Sequence, residues 1–330
     1  MNLVNKHTLK LTARSMFYRA GGLNVARRLQ PKGLRILMYH RFPAGMVQRK
    51  VLERQCSHMA EQYELIPLKG VRDLWTRGKP LRRHALAITV DDGYRDFFQH
   101  AYPVFRSFNI PVTVFLTTDF IDRRCWMWVD QIEYLFAHTG LDRLRIPYSG
   151  GMFDFKLNIT QERNAAAATV REELKHVPDL ERRGLMSSMC DQLRVVFPEQ
   201  PPEEHAPLNW AEVRTMAQQG IEFGAHTLSH PILSRLAEGQ ALQNEIAGSK
   251  QRIEEELQSS VVHFCYPNGK ADDFNSRVIE VTRQAGFETA VSTEPGLNLP
   301  GDDLLSLKRT GVGVEYSEYY FQACAAGFRS

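Results

Sequence analysis

Leu86-Ala87-Ile88-Thr89-Val90-Asp91-Asp92-Gly93-Tyr94-Arg95-Asp96 is an apolar, β-branched run that ends abruptly in two adjacent carboxylates and a glycine. Asp-Gly taken alone is a common hairpin signal. The continuation argues against a hairpin: Phe97, Ala101, Val104, Phe105 and Phe108 recur at helical spacing, so the chain reads strand, acidic turn, helix. In α/β proteins the C-terminal ends of strands are where chemistry is placed. A buried strand that delivers Asp91 and Asp92 to such an edge is therefore a candidate site.

A second stretch has the same form. Gly220-Ile221-Glu222-Phe223-Gly224-Ala225-His226-Thr227-Leu228-Ser229-His230-Pro231 is an apolar strand running into two histidines separated by three positions. Imidazoles at that spacing can meet one metal ion from a single turn of chain, although H-x-x-x-H alone is a weak signal. Two neutral imidazoles and one carboxylate make a three-ligand set that leaves coordination positions open for water, the pattern of catalytic rather than closed structural sites.

With both stretches in view the chain resembles a known family. Thr89-Val90-Asp91-Asp92-Gly93 is similar to the T-F-D-D-G motif of the polysaccharide deacetylases with a NodB-homology domain, carbohydrate esterase family 4. His226-Thr227-Leu228-Ser229-His230 is similar to their H-[ST]-x-x-H motif. Phe264-Cys265-Tyr266-Pro267-Asn268-Gly269 shares the Pro-x-Gly core of their R-P-P-[YF]-G strand end. The order is right, each segment follows an expected strand, and the resemblance covers residues 34 to 315. It implies an α/β fold, a distorted (β/α) barrel of about seven strands. It also implies a hydrolase that removes N-acetyl or other N-acyl groups from amino-sugar units of a polysaccharide or its lipid-linked precursor. Asp92, His226 and His230 would hold one divalent metal, zinc first, with cobalt, nickel, manganese or iron as alternatives. Asp91 would be the base that takes the proton of water, and the backbone N–H of Asn268 would help bind the oxyanion.

Two positions depart from that pattern. Cys265 stands where the family often has an arginine that orients the base, and Leu307-Lys308-Arg309 ends in arginine where the family often has a histidine as general acid. A guanidinium does not readily donate a proton. The leaving amine is then protonated by another group or by Asp91, or the chain is a sugar-binding pseudoenzyme.

Composition bounds the rest. A chain of 330 residues is long enough for one large α/β domain with a sizeable insertion. The net charge of +3 implies no nucleic-acid partner. It is unevenly spread: the first fifty residues hold eleven lysines and arginines, and the first acid is Glu53. Residues 1–33 read as a basic extension suited to anionic lipid, or simply as a solvated leader. The segment between Lys6 and Arg28 contains no apolar run long enough for a secretory signal, and no transmembrane stretch is expected. Cys56, Cys125, Cys190, Cys265 and Cys324 are scattered, as reduced thiols are. The expected location is cytoplasmic, at the inner face of a membrane if the basic arm binds lipid.

Along residues 34–330, read as the barrel domain, Leu34 to His40 is the expected first strand, which makes His40 a candidate pocket residue. Pro111 to Thr117 is another strand. Residues 122–206 read as an inserted cap that opens with Trp126, Trp128 and Asp130. These three, with Tyr266, are candidate substrate contacts because aromatics stack on sugar rings; core packing is the alternative. A hairpin is expected around Ser149-Gly150-Gly151, a helical stretch over 161–196 and an N-cap at Asn209. Beyond it come a long helix over 237–258, strands at 261–266, 287–291 and 304–309, and a last aromatic helix.

Overall fold

The computed structural model describes Gly22 and residues 33–77, 84–237 and 239–328, so the basic extension lies almost entirely outside the described residues. The strands are β1 (Leu34–Tyr39), β2 (Glu64–Leu65), β3 (Ala85–Val90), β4 (Val112–Leu116), β5 (Arg143–Tyr148), β6 (Gly151–Lys156), β7 (Glu222–Ala225), β8 (His263–Cys265), β9 (Thr289–Val291) and β10 (Thr310–Gly311). The main sheet runs β10-β1-β3-β4-β7-β8-β9 and is parallel throughout. β2 and β4 share one edge of β3: β2 pairs with Ala85 and Leu86, β4 with Ile88 to Val90.

Every residue of β1, β3 and β4 is buried, as expected for parallel strands covered on both faces. Alternation then sorts their side chains. Leu86, Ile88 and Val90 join the large cluster under the outer helices, whereas Ala85 and Ala87 join the inner cluster with Leu34, Ile36, Phe115, Cys265 and Leu307. Asp91 continues the inner set, so the period of two turns the first acid toward the barrel interior. Gly224 leaves room for the Phe115 ring in that interior, because a Cβ there would lie 2.5 Å from it.

The edges of the sheet are joined by the chain after β9. Leu307 bridges Val291 in parallel, and Thr310 and Gly311 pair with Leu37 and Met38 of β1, which curls the sheet into a distorted barrel. The strand expected over 304–309 is therefore corrected to this interrupted crossing. The Lys308 N–H is taken by the Asn298 side chain and the Arg309 N–H by the Glu294 carbonyl, so the ladder breaks between Leu307 and Thr310.

Residues 122–206 carry the β5–β6 hairpin and the helices Trp128–His138, Thr160–Glu173 and Asp179–Leu193. They close around an apolar cluster of their own that includes Ile132, Phe136, Leu144, Phe153, Val170 and Met189. The helical stretch over 161–196 is split into two helices before Asp179, where Pro178 takes an extended conformation. The helix after β3 is likewise split. A π-helical turn spans Phe97–Ala101 and an α-helix Tyr102–Ser107, because Pro103 removes one N–H from the ladder. Asn209 caps the helix Trp210–Gln218 in a reciprocal capping box with Glu212, anchoring the approach to β7. No described helix is long and apolar enough to cross a membrane.

Candidate active site

Asp91 leaves β3 with its N–H on the Tyr39 carbonyl of β1 and only 1 % of its surface exposed. Arg309, fully buried, meets it in a forked pair: Nη1 donates to Oδ1 and Nη2 to Oδ2, both at 2.7 Å. The guanidinium is itself held by the Ser292 carbonyl at 2.8 Å and Thr89 Oγ1 at 3.0 Å, and it lies over the Phe115 ring. Burial by itself pushes the Asp91 carboxyl up, but Arg309, helped by His40 and His226, outweighs it and holds the group below the ordinary carboxylate range. Asp91 is thus an oriented, ionised acceptor. Arg309, which by its chemistry does not readily give up a proton, has all five donors on orienting partners.

Cys265, at the end of β8, explains how the guanidinium reaches Asp91. Its Sγ lies 3.1 Å from Arg309 Nη2 and 3.4 Å from Asp91 Oδ2. A small side chain at the end of β8 leaves the volume that the Arg309 guanidinium fills from the neighbouring crossing. Burial pushes the Cys265 thiol up, so it sits neutral beside the ion pair.

Asp92, His226 and His230 converge next to this pair. Both imidazole Nε2 atoms lie 3.5 Å from Asp92 Oδ1 and 3.2 Å from each other. Donors bound at ~2.0–2.2 Å around one cation stand roughly 3–3.5 Å apart, so the triangle has the size of a metal-ligand set. His226 Nδ1 lies 2.7 Å from the Cys265 carbonyl, which can only accept, so Nδ1 carries a proton. Burial pushes the ring's pKa down, but Cys265, Asp92 and Asp91 beside it outweigh burial and raise it, so a bound cation would displace the proton from Nε2. His230 is neutral because burial and the neighbouring His226 push it down to about 3. A carboxylate and two imidazoles, His230 already neutral and His226 made so when a cation takes the place of its Nε2 proton, fit a divalent cation chemically as well as in size. A second convergent group, Asp91, His226 and Cys265, has its acid already committed to Arg309.

The backbone that carries these groups is strained. Asp92, Thr227, His230 and Asn268 have φ of 75°, 68°, 59° and 59°, in the left-handed region that costs side-chain-bearing residues about 1–3 kcal/mol each. Asp92 is the pivot. Its turn reverses the alternation of β3, so the two adjacent acids serve neighbouring centres, Asp91 facing Arg309 and Asp92 the histidines.

The other sequence-predicted residues fall in different places. His40 Nε2 stands 3.8 Å from Asp91 Oδ2 with a side chain 43 % exposed, on the open side of the acid. Asn268 lies on the strained turn after β8, its side chain tied to Asp273. Tyr266 is corrected to a core residue: its ring stacks on Phe274 and its hydroxyl donates to the Leu305 carbonyl, turning it away from the pocket. Trp128 is likewise buried in the cap core, although its indole N–H reaches the His230 carbonyl at 3.2 Å. Trp126 packs against Tyr134 and Phe197 within the cap. Asp130 accepts from the Tyr94 hydroxyl at 2.6 Å and pairs with His205 at 3.2 Å. Tyr94 and His205, which hold Asp130, carry no sequence signal of that contact, since they lie 36 and 75 positions from it.

Residues 78–176 and 187–290 match the polysaccharide deacetylase family, hydrolases of N-acetyl amide bonds. The putative polysaccharide deacetylase YxkH of Bacillus subtilis (strain 168) is 22 % identical over 298 residues, 89 % of this chain and 76 % of that protein. The poly-β-1,6-N-acetyl-D-glucosamine N-deacetylase of Escherichia coli (strain K12) is 30 % identical over 66 residues, 20 % of this chain and 10 % of that one. Among solved structures, the Streptococcus pyogenes deacetylase PplD in complex with acetate superposes with a TM-score of 0.59 at 16 % identity, covering 91 % of this chain and 100 % of its own. IcaB from Ammonifex degensii superposes at 0.56 and 17 %, covering 91 % and 99 %. These two likenesses concern the fold, which is that of the NodB-type deacetylase barrel. The matched segments span more than half of the sequence, and the chain belongs to the polysaccharide deacetylase family.

Proposed function

We propose that this protein removes N-acetyl groups from N-acetylglucosamine-type units of a polysaccharide or its lipid-linked precursor, using one divalent cation held by Asp92, His226 and His230. The observation that carries the reading is the ionised, arginine-clamped Asp91 standing beside a three-donor triangle of metal-site size. The poly-N-acetylglucosamine activity in the name of the E. coli relative supports the substrate class. Zinc suits the donor set, as do cobalt, nickel, manganese and iron.

An amide carbonyl is a poor electrophile. When bound, the cation supplies a water of lowered pKa and polarises the carbonyl. Asp91 takes the proton of the attacking water as its oxygen adds to the acetyl carbon, and Arg309 keeps Asp91 ionised and aimed throughout. The Asn268 N–H supports the oxyanion. His40, on the exposed side of Asp91, gives a proton to the amine nitrogen as the C–N bond breaks, releasing acetate and a free amino sugar.

The test is the metal content of the purified protein together with free-amine release from short N-acetylglucosamine oligomers, before and after chelation. About one metal per chain with chelator-sensitive release is expected. Protein that takes up no metal even on reconstitution overturns the site. Metal binding without amine release from any acylated sugar moves the reading to a sugar-binding protein.

A further inference from the structure

We propose that Glu245 is the positioning residue that presets the His226–His230 loop for its cation, an inference that rests on reading that loop as the metal site. Thr227 and His230 both hold left-handed backbone, and such a loop keeps its shape only if its surroundings over-determine it. The backbone partners of the loop account for this one by one. The His226 carbonyl accepts from Thr117 Oγ1, the Thr227 carbonyl from the Thr118 N–H and the Leu228 carbonyl from the Asp119 N–H. The His230 N–H donates to Thr227 Oγ1, and its carbonyl accepts from the Trp128 indole. In the middle of the loop, the N–H groups of Leu228 and Ser229 have a side-chain partner instead.

Both point at Glu245. Leu228 N–H and Ser229 N–H converge on Oε2 at 2.9 and 3.0 Å, while the Ser229 hydroxyl donates to Oε1 at 2.6 Å. The residue is 8 % exposed, and among the described residues no lysine or arginine forms an ion pair with it. A carboxylate without a cation is costly to bury, so packing alone would favour an apolar side chain here. The three donors of the loop are what offset that cost.

The helix is shaped to present this acid. Glu245 lies in a π-helical turn, Asn244–Gly248, between the helices Gln240–Gln243 and Ser249–Leu257. At the end of the turn a Cβ on Gly248 would stand 3.2 Å from the Leu228 side chain, so loop and helix are in direct contact. π-turns of this kind recur where a helix must aim a side chain. Fixing the Leu228 and Ser229 amides fixes the peptide planes between the two histidines, and with them the separation of the Nε2 atoms. Glu245 touches neither metal nor substrate and acts through the loop.

The test measures cobalt(II) and zinc(II) affinity by chelator competition for wild type, E245A, E245Q and S229A, with the thermal midpoint of each metal-free protein. E245A is expected to bind either metal about 10–100-fold more weakly, the usual effect of losing a residue that orients ligands. Its cobalt spectrum should change, and the loss at saturating metal should fall on kcat rather than KM. E245Q keeps a carbonyl oxygen for the two N–H groups and should restore most of the affinity. S229A, which loses only the hydroxyl, should be milder still. E245A with wild-type affinity and spectrum overturns the proposal. Should E245A fail to fold, E245Q decides: near-wild-type affinity supports the amide-anchoring role, and a loss as large as that of a ligand variant such as H230A overturns it. Wild-type protein that binds neither metal defeats the metal-site reading instead.

Discussion

Replacing Arg309 with methionine tests the buried pair on which the proposed base depends. The substitution keeps most of the side-chain volume and removes both 2.7 Å donors from Asp91. Removing one partner of a buried ion pair costs about 3–5 kcal/mol, because the remaining charge has no compensation. Asp91 can limit that cost by taking up a proton, at about 1.4 kcal/mol per unit by which its pKa must rise. The sign of the pH dependence follows. In the wild type the folded pKa of Asp91 lies below its ordinary value, so its contribution to stability is full at neutral pH and is lost only as pH falls through that depressed value. In R309M only His40 and His226 are left to oppose burial, and the folded pKa rises above the unfolded one. Asp91 then destabilises the protein at neutral pH, and the penalty fades as pH falls. Urea unfolding of both proteins, in chelator so that metal binding does not enter, should show the gap widest near pH 7 and narrowing toward pH 4. The acidic limb of kcat/KM should also move to higher pH, and R309K, which offers a single point charge, should fall between. A gap below about 1 kcal/mol at neutral pH, or one that does not change with pH, would refute this reasoning.

Two further outcomes check other parts of the site and fold. D91N should retain metal within a few-fold of wild type while amine release falls by at least about 100-fold, the range for loss of a general base; a fully active D91N would remove Asp91 from that role. His263, 4 % exposed with Nδ1 on Thr289 Oγ1, is pushed below its ordinary pKa, chiefly by burial. Its folded state favours the neutral ring, so it adds to stability above the ordinary histidine value of about 6.5, and this is lost as pH falls toward the depressed value. H263Q should flatten the slope of unfolding free energy against pH just below 6.5, and an unchanged slope would assign that loss to other groups.

Much of the molecule could be read locally. The apolar runs ending in Asp91-Asp92 and His226, the barrel strands other than the interrupted crossing at 304–311, the hairpin around Gly150 and the Asn209 cap follow from periods of two or 3.6 residues and from turn chemistry. Those relations span only a few positions, and they carried the first acid and the histidine pair to one edge of the sheet. The forked pair between Arg309 and Asp91 joins residues 218 positions apart, and no local pattern announces it. Only the crossing from β9 to β1 brings that arginine into the barrel, in the space left by Cys265. Tertiary structure likewise turned Tyr266 into the core, gave Trp128 a place under the His230 carbonyl and set Glu245 beneath two loop amides. Sequence by itself determined which residue types reach the C-terminal edge, because strand alternation and chain direction are local properties. Which of them face one another was decided by the register and closure of the barrel, because those depend on packing between segments far apart in the chain.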